Sequence, residues 1–231
     1  MEIMKNLCIV QARMSSSRFP GKVMVPLEGT PLIDILIDRL SNSKSLDHIV
    51  IATSSDPSDD ILANHLKNED VFRGSLLDVR SRFIEIAKQY NPKNIIRITA
   101  DCPLACPQLI DDLTALHINT DSDYSANCNI NPFPKGFDVE IFKAKILKIT
   151  KYLNRKKYDK EHVTPWMYKY GNLNVSNLEF NQNFNMRKFN FSVDKIGDLR
   201  FLEKLAVMMP ILQLTFRQIH DEFEGKRRLS R

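Results

Sequence analysis

The sequence predicts an α/β fold with a mainly parallel sheet, and three observations support this class. Short apolar runs alternate with amphipathic helical stretches through roughly the first half of the chain. Such alternation is typical of strands joined by crossover helices. The 231 residues are 43% hydrophobic and 26% charged, as in ordinary folded domains. No long linker or internal repeat divides them. We therefore expect a single domain.

The first half predicts four strand–helix units in succession. The strands are predicted at 7–10, 48–53, 71–72 and 94–99, and the helices at 31–40, 56–66, 78–90 and 107–116. The first run, ending at the polar Gln11, suits a strand that is buried on both faces. The first helix begins with a proline and has an apolar stripe at helical spacing. Ligands in such sheets bind at the carboxyl ends of the strands.

The second half is less regular. Strands are predicted at 123–127, 136–142, 173–180 and 190–193, and helices at about 144–154, 159–170, 195–209 and 215–223. His162, Trp166 and Tyr170 recur at every fourth place of the 159–170 helix, despite an internal proline. The last helix opens with a capping box formed by Thr215 and Gln218.

The charge balance favours an anionic ligand. There are 33 basic and 28 acidic residues, which gives a net charge of +5. This mild excess suits a polyanionic small molecule. A nucleic-acid-binding protein is an alternative that depends only on this charge and on the basic tail at 226–231, which we expect to be solvated. Because no basic stripe runs along the chain, we expect no nucleic-acid partner.

Location and redox state follow from the apolar runs and the cysteines. No run approaches the roughly 18–20 apolar residues of a membrane span, and the start of the chain does not resemble a signal peptide. We therefore expect a cytoplasmic protein with no membrane partner. Cys8 lies in an apolar run, and Cys102 and Cys106 are each followed by proline with no histidine nearby. Together with Cys128 they are interpreted as free thiols, with a zinc site disfavoured.

The loop after the first strand, residues 11–22, is the most informative stretch. It carries Arg13, Arg18 and Lys22, three serines and a glycine, with no acid. Small residues let backbone N–H groups approach an anion, and the cations neutralise phosphate oxygens. The order of residues differs from a P-loop. A solvated basic loop is the alternative interpretation.

Segment 9–23 resembles the opening of the cytidylyltransferase family, which makes CMP-activated acidic sugars. The similarity is greatest to the branch typified by the spore-coat polysaccharide biosynthesis protein F. Further matches follow in order over about residues 7–205. They lie at 73–75, 78–82, 97–104, 133–140, 161–165, 192–194 and 198–199. The segments at 9–23 and 97–104 are the specific ones.

The resemblance implies a nucleotide-diphospho-sugar-transferase-like Rossmann fold, with a mainly parallel mixed sheet and a small inserted β-rich lobe. It implies one nucleotidyltransferase domain, 1–231. Within it, 1–120 form the nucleotide-binding half, 121–190 a substrate and dimerisation lobe, and 191–231 the closing strand and C-terminal helices. The reaction implied joins CTP to an acidic sugar (nonulosonate-like or 3-deoxy-octulosonate-like), releases pyrophosphate and depends on Mg²⁺. A homodimer is also expected.

The resemblance also assigns roles to residues of this sequence. Arg13, Lys22 and Asp101 are the expected catalytic residues. Nucleotide-binding positions are expected at Gln11, Ala12, Arg13, Ser15, Ser16, Arg18, Lys22, Thr53, Ser54, Arg73, Gly74, Ser75 and Arg82. In this assignment the cations of the basic loop hold the β- and γ-phosphates. Asp138, Glu140 and His162 are expected near the acceptor sugar, with a packed His162 as the alternative.

Asp101 and Asp194 are the expected Mg²⁺ ligands, because each follows a predicted strand and hard cations prefer carboxylates. The alternative for each aspartate is a purely structural role, in which its side chain caps the N-terminus of the following helix. Asn190 stands where related sequences often have arginine, which leaves open how the sugar carboxylate is held. A glycosyltransferase or another nucleotidyltransferase of related fold is the competing enzyme class. The Asp-x-Asp metal motif usual in a glycosyltransferase is present as Asp121-Ser122-Asp123, but past the helix that follows the 94–99 strand. Pyrophosphate release from CTP would distinguish the two enzymes.

Overall fold

The computed structural model describes residues 4–129, 133–153, 157–169, 172–180, 186 and 188–229. Part of the loop predicted between two strands, Tyr170 and the last two residues of the basic tail lie outside them. The strands are β1 (Asn6–Gln11), β2 (Pro26–Leu27), β3 (Thr30–Pro31), β4 (His48–Ser54), β5 (Val71–Gly74), β6 (Asn94–Thr99), β7 (Tyr124–Ala126), β8 (Glu140–Lys143) and β9 (Val175–Asn177). The helices are α1 (Leu32–Ser41), α2 (Asp60–His65), α3 (Val79–Tyr90), α4 (Pro107–Asn119), α5 (Ile146–Leu153), α6 (Lys157–His162), α7 (Ile196–Met208) and α8 (Phe216–Leu229).

Seven of these strands form one sheet in the order β5-β4-β1-β6-β8-β7-β9. Strand β8 runs antiparallel to both of its neighbours, and the other pairings are parallel. The predicted mainly parallel mixed sheet is therefore confirmed. Gln11 at the end of β1 pairs with Ala52 of β4 and with Thr99 of β6. The loops that follow these three strands consequently emerge at one edge.

The central strand β1 is buried on both faces. Cys8 and Val10 pack in a cluster with side chains of α1 and α4, whereas Leu7 and Ile9 pack with side chains of α3. Helices thus cover both sides of the sheet, which explains why the sequence has a continuous apolar run here instead of an alternating one.

Several predicted elements have different bounds in the structure. The helix predicted at 159–170 is wrong beyond His162, where α6 ends and Val163 adopts a positive φ of 66°. Proline at 165 has no N–H to continue a helix. The strand predicted at 190–193 is reduced to a single bridge between Asn190 and Lys135. The helix predicted at 56–66 is a short 3-10 turn at Pro57–Asp59 followed by α2.

The second half has its own apolar cluster, in which Phe137, Phe191 and Phe216 meet at ring-centroid distances of 5.0–5.2 Å. The buried Arg39 of α1 joins this half to the first. Its guanidinium donates to the carbonyl oxygens of Ala105, at 3.0 Å, and of Leu214, at 3.0 Å. Within the described part of the chain, every helix is too short or too polar to cross a bilayer.

Candidate active site

The basic loop begins at the carboxyl end of β1, and the Asp59 side chain holds its backbone in place. This carboxylate is fully buried. It accepts the Met14 N–H at 2.6 Å on one oxygen, and the Ser54 N–H at 3.1 Å and the Ser54 hydroxyl on the other. The Gly21 N–H closes the loop on the Met14 carbonyl at 2.8 Å. Sequence reasoning treated Asp59 as a helix-start acid and missed this role, which only the fold reveals.

Asp101 and Asp194 meet at this edge although 93 positions separate them. Asp101 follows β6, and its carbonyl oxygen accepts the Val193 N–H at 2.8 Å. Asp198 holds the next turn, because its Oδ2 accepts the N–H groups of Asp194 and Lys195, both at 2.9 Å. These hydrogen bonds therefore hold the two backbone segments that carry the carboxylates side by side.

Lys22 lies between the two carboxylates. Its Nζ is 2.7 Å from Asp101 Oδ2 and 2.9 Å from Asp194 Oδ1. Asp194 also pairs with Arg18 at 3.0 Å and with Lys135 at 2.6 Å. Burial alone would raise the pKa of Asp194, but hydrogen bonds from Lys135 and Lys22 hold this pKa well below its usual range. The edge is thus a carboxylate pair facing several cations, an arrangement suited to a metal–phosphate ligand.

These side chains border a cleft of about 290 Å³. Its lining residues are Gln11, Arg13, Ser16, Ser17, Arg18, Lys22, Val23, Arg97, Thr99, Ala100, Asp101, Glu161, His162 and Asp194. The structure therefore brings together most of the residues that were predicted from the basic loop, both predicted metal ligands and His162. Sequence reasoning did not single out Lys135, Arg97 and Glu161 as site residues.

The far wall of the cleft is a second group of charges. The Arg97 guanidinium pairs with Glu140 and donates to the Gln11 side chain at 3.0 Å. Glu140 also accepts the Tyr124 hydroxyl at 2.6 Å. Although burial alone would lower the pKa of Arg97, the Glu140 carboxylate raises it. Arg13 pairs with Glu161 at 2.9 Å.

Asp138 and His162 have environments that favour their neutral forms. Asp138 precedes β8 and accepts the Gly136 N–H at 3.1 Å, but burial raises its pKa. Burial likewise lowers the pKa of His162, whose ring lies 4.4 Å from that of Tyr158. His162 both packs on a neighbour and borders the cleft.

The other positions predicted to bind the nucleotide lie outside the cleft lining. Thr53 and Ser54 are fully buried, and Arg73 pairs with Asp60 at 2.6 Å. Arg82 is buried and donates to the carbonyl oxygens of Ser75, at 2.7 Å, and of Ala52, at 3.1 Å, and burial lowers its pKa to about 10. The remaining such positions are Gly74, whose carbonyl accepts the Ser55 N–H, the exposed Ser15 and the buried Ala12. Nucleotide contact by this group stays a prediction.

The Asp-x-Asp segment that would mark a glycosyltransferase lies at the other edge of the sheet. Asp121 and Asp123 precede β7 and pair with Lys143, at 2.8 and 3.3 Å. Lys143 is paired in register with Asn94, at the start of β6, whereas Asp101 follows the end of that strand. These aspartates therefore cannot share a ligand with the cleft.

Comparison with known proteins agrees with this geometry. The chain is 35% identical over 207 residues to the spore coat polysaccharide biosynthesis protein SpsF of Bacillus subtilis, covering 86% of this chain and 85% of that protein. It is 30% identical over 118 residues, about half of each chain, to the 8-amino-3,8-dideoxy-manno-octulosonate cytidylyltransferase of Shewanella frigidimarina. A cytidylyltransferase structure from Leptospira borgpetersenii superposes with a TM-score of 0.88 and 27% identity, covering 97% of this chain and 95% of that one.

The family model described as cytidylyltransferase matches residues 7–220. That span runs from the first residues of β1 through the basic loop, Asp101 and Asp194 into α8, and so includes every part of the cleft. With a fold, a cleft and a sequence match that all agree, this chain belongs to the cytidylyltransferase family.

Proposed function

We propose that the protein transfers CMP from CTP to a hydroxyl of an acidic sugar, with release of pyrophosphate, for the synthesis of a surface polysaccharide or glycan. The observation that carries this proposal is the Asp101–Lys22–Asp194 arrangement at the mouth of the basic loop. The acceptor class is supported by the relatives, whose names include an octulosonate cytidylyltransferase and a polysaccharide biosynthesis protein. We assign nucleotide binding chiefly to residues 1–120 and the acceptor chiefly to residues 121–190, with Arg97 of the first half also facing the acceptor.

The chain's own cations would bind the triphosphate. Arg13, Arg18 and Lys22 line one cleft together with Ser16 and Ser17. Charge grows on the pyrophosphate as it leaves, so cations that contact it stabilise the transition state more than the ground state. Asp59 serves this function indirectly, because it orients the loop that carries these cations. Catalysis then depends chiefly on positioning and charge.

The two aspartates fit a divalent cation. One positively charged group, the Lys22 ammonium, already lies within hydrogen-bonding distance of both carboxylates. Carboxylate oxygens are the ligands that Mg²⁺ prefers, and Mg²⁺ usually takes only one or two of them besides phosphate and water. Asp101 and Asp194 would therefore hold it. When bound, Mg²⁺ would neutralise phosphate charge and so favour loss of pyrophosphate.

The acceptor is assigned to the side of the cleft formed by Arg97, Glu161 and His162. Arg97 supplies positive charge for the sugar carboxylate in the absence of an arginine at 190. His162 is held with a lowered pKa, so it can accept a proton from a sugar hydroxyl near neutral pH. Glu140 orients Arg97 through their ion pair. Asp138 stands two residues before Glu140, and burial raises the pKa of its carboxyl group.

We further propose a homodimer that acts in the cytoplasm, where CTP is available. Exposed apolar side chains in the second half, such as Val207 and Met208 at the end of α7, support self-association. Light scattering on the purified protein tests this, and a monomer mass at micromolar concentration would contradict it.

A screen for pyrophosphate release tests the reaction. The purified protein is incubated with CTP and Mg²⁺ and with a panel of 3-deoxy-octulosonate, its 8-amino analogue, nonulosonates and matched neutral sugars. We expect release with at least one acidic sugar and none with its neutral counterpart. Asp101→Asn serves as the control for contaminating activity. If no acidic sugar supports release while a neutral acceptor does, the acceptor class is wrong.

A further inference from the structure

Every carboxylate oxygen of the pair at the cleft already has a donor. Lys22 contacts Asp101 Oδ2 and Asp194 Oδ1, and Arg18 also lies 3.0 Å from the latter oxygen. Lys135 donates to Asp194 Oδ2 at 2.6 Å. The remaining oxygen, Asp101 Oδ1, accepts the Thr99 hydroxyl at 2.6 Å. A divalent cation that bridges the two carboxylates would have to displace the Lys22 ammonium, which already contacts both of them.

The carboxylates are fixed, whereas the cations can move. Backbone hydrogen bonds hold the segments that carry Asp101 and Asp194. The side chains of Arg18 and Lys135 are 66% and 56% exposed, and both are long and flexible. Arg18 and Lys135 can therefore leave the carboxylates by side-chain rotation alone. Lys22, whose side chain is only 11% exposed, remains at the cleft and would turn from the carboxylates to a ligand bound there.

We propose that Lys22, Lys135 and Arg18 keep the carboxylate pair closed to a free divalent cation, and that a triphosphate opens the pair by drawing these cations onto its own oxygens. This inference depends on the proposed use of CTP and a metal ion at this site. Phosphate oxygens and carboxylates compete for the same donors. Once the cations turn to phosphate, Asp101 and Asp194 are left as uncompensated negative charges, which attract the metal.

The consequence is a reciprocal coupling between metal and nucleotide. If the nucleotide increases metal affinity by some factor, the metal must increase nucleotide affinity by the same factor. Lys135 gives this coupling a link to the inserted lobe. Its carbonyl accepts the Phe191 N–H at 2.7 Å, so its backbone is fixed beside the segment that leads to Asp194. Lys135 is thus a positioning residue for metal entry, and sequence motifs gave no sign of it.

The test is Mn²⁺ binding to the whole protein without nucleotide, followed by electron paramagnetic resonance of the free ion. We expect weak binding by the parent, and binding tighter by about tenfold or more in Lys135→Met and in Lys22→Met, within the usual range of coupled sites. Lys88→Met is the matched control, since it removes the same charge from an exposed pair with Glu85. Melting curves establish that each variant is folded.

A second measurement compares the CTP dissociation constant in EDTA and at saturating Mg²⁺. The CTP dissociation constant in EDTA divided by that at saturating Mg²⁺ should be smaller for Lys135→Met than for the parent. Parent-like Mn²⁺ affinity in both lysine variants would overturn the inference, as would an equal gain in Lys88→Met. Such results would leave the proposed function standing if CTP still released pyrophosphate. Conversely, tighter Mn²⁺ binding in the variants, together with no pyrophosphate release from CTP by the parent protein, would contradict the proposed reaction but would still support the inference that the lysines exclude the metal ion.

Discussion

A substitution at Gly136 tests whether the loop that carries Lys135 packs closely against the segment that leads to Asp194. Its φ is +103°, a conformation that residues with a Cβ rarely adopt. A Cβ at this position would lie 2.4 Å from the Phe191 carbonyl carbon and 2.5 Å from the Ser192 nitrogen. Both are backbone atoms, so rotation of a side chain cannot relieve the contact. Gly136→Ala must therefore displace the loop or the segment that leads to Asp194.

The expected loss follows from these two costs. A strained positive φ costs about 1–3 kcal/mol. Overpacking against fixed atoms costs about another 1–3 kcal/mol. For a chain of this size each kcal/mol lowers Tm by about 2–4 °C. We thus expect a fall of roughly 4–24 °C in a thermal melt followed by circular dichroism.

Gly197→Ala is the matched control within the same chain. Gly197 lies in the first turn of α7, with no atom within 4 Å of the position that a Cβ would take. Alanine there restricts the unfolded chain and should stabilise the protein by up to about 1 kcal/mol. The two alanine variants should therefore shift Tm in opposite directions. A Gly136→Ala protein that melts with the parent would refute the close approach of the two segments.

Four further expectations follow from the site and the core. CTP with Mg²⁺ should raise Tm more than ATP, GTP or UTP. At a hundredfold excess over its Kd, CTP should stabilise the folded state by about 2.7 kcal/mol, and equal Tm shifts with all four nucleotides would contradict cytidine selectivity. Lys22→Ala should weaken binding of CTP, in calorimetry, much more than binding of CMP, whereas Lys88→Ala should alter neither. Asp101 does not cap a helix, because the N-cap of α4 is Cys106. Asp101→Asn should stay folded and lose nearly all Mg²⁺-dependent pyrophosphate release, and parent-like turnover would show that Asp101 is not a metal ligand. Burial lowers the pKa of His117 to about 4, so the folded state resists protonation of this side chain. The free energy of unfolding should therefore fall as the pH drops from 6.5 to 4, by about 2 kcal/mol at pH 5 relative to pH 7. Urea unfolding should show a smaller decrease in His117→Gln than in the parent.

Regular segments were predictable from sequence because their own residues determine them. The apolar runs of β1, β4 and β6 and the stripe of α1 correspond to elements of the structure with small shifts at the ends. The capping box at Thr215 and Gln218 is also present, with the Gln218 side chain accepting the Thr215 N–H at 2.9 Å. In each case local pattern and tertiary packing favour the same conformation.

Contacts between distant segments were not predictable in this way. Asp59 looks like any acid at a helix start, yet the fold brings it to the amide of Met14. Arg82 is predicted to contact the nucleotide, yet its guanidinium donates to the backbone carbonyl oxygens of Ser75 and Ala52. Lys135 lies in a polar loop with no distinguishing pattern. The type of a charged residue does not indicate which distant group it contacts, so these partners can be identified only from the fold.

The carboxylate pair also constrains how the protein is made. Lys22 emerges from the ribosome early, but the Asp194 that it contacts lies 172 residues later in the chain. The first strands can pair while synthesis continues, since only α1, two short strands and one 3-10 turn separate β1 from β4 in the chain. The cleft, by contrast, has to wait for the segment that carries Asp194. Translation of most of the chain therefore precedes the first competent active site, and a message cut short before this point yields a nascent fold without catalytic capacity.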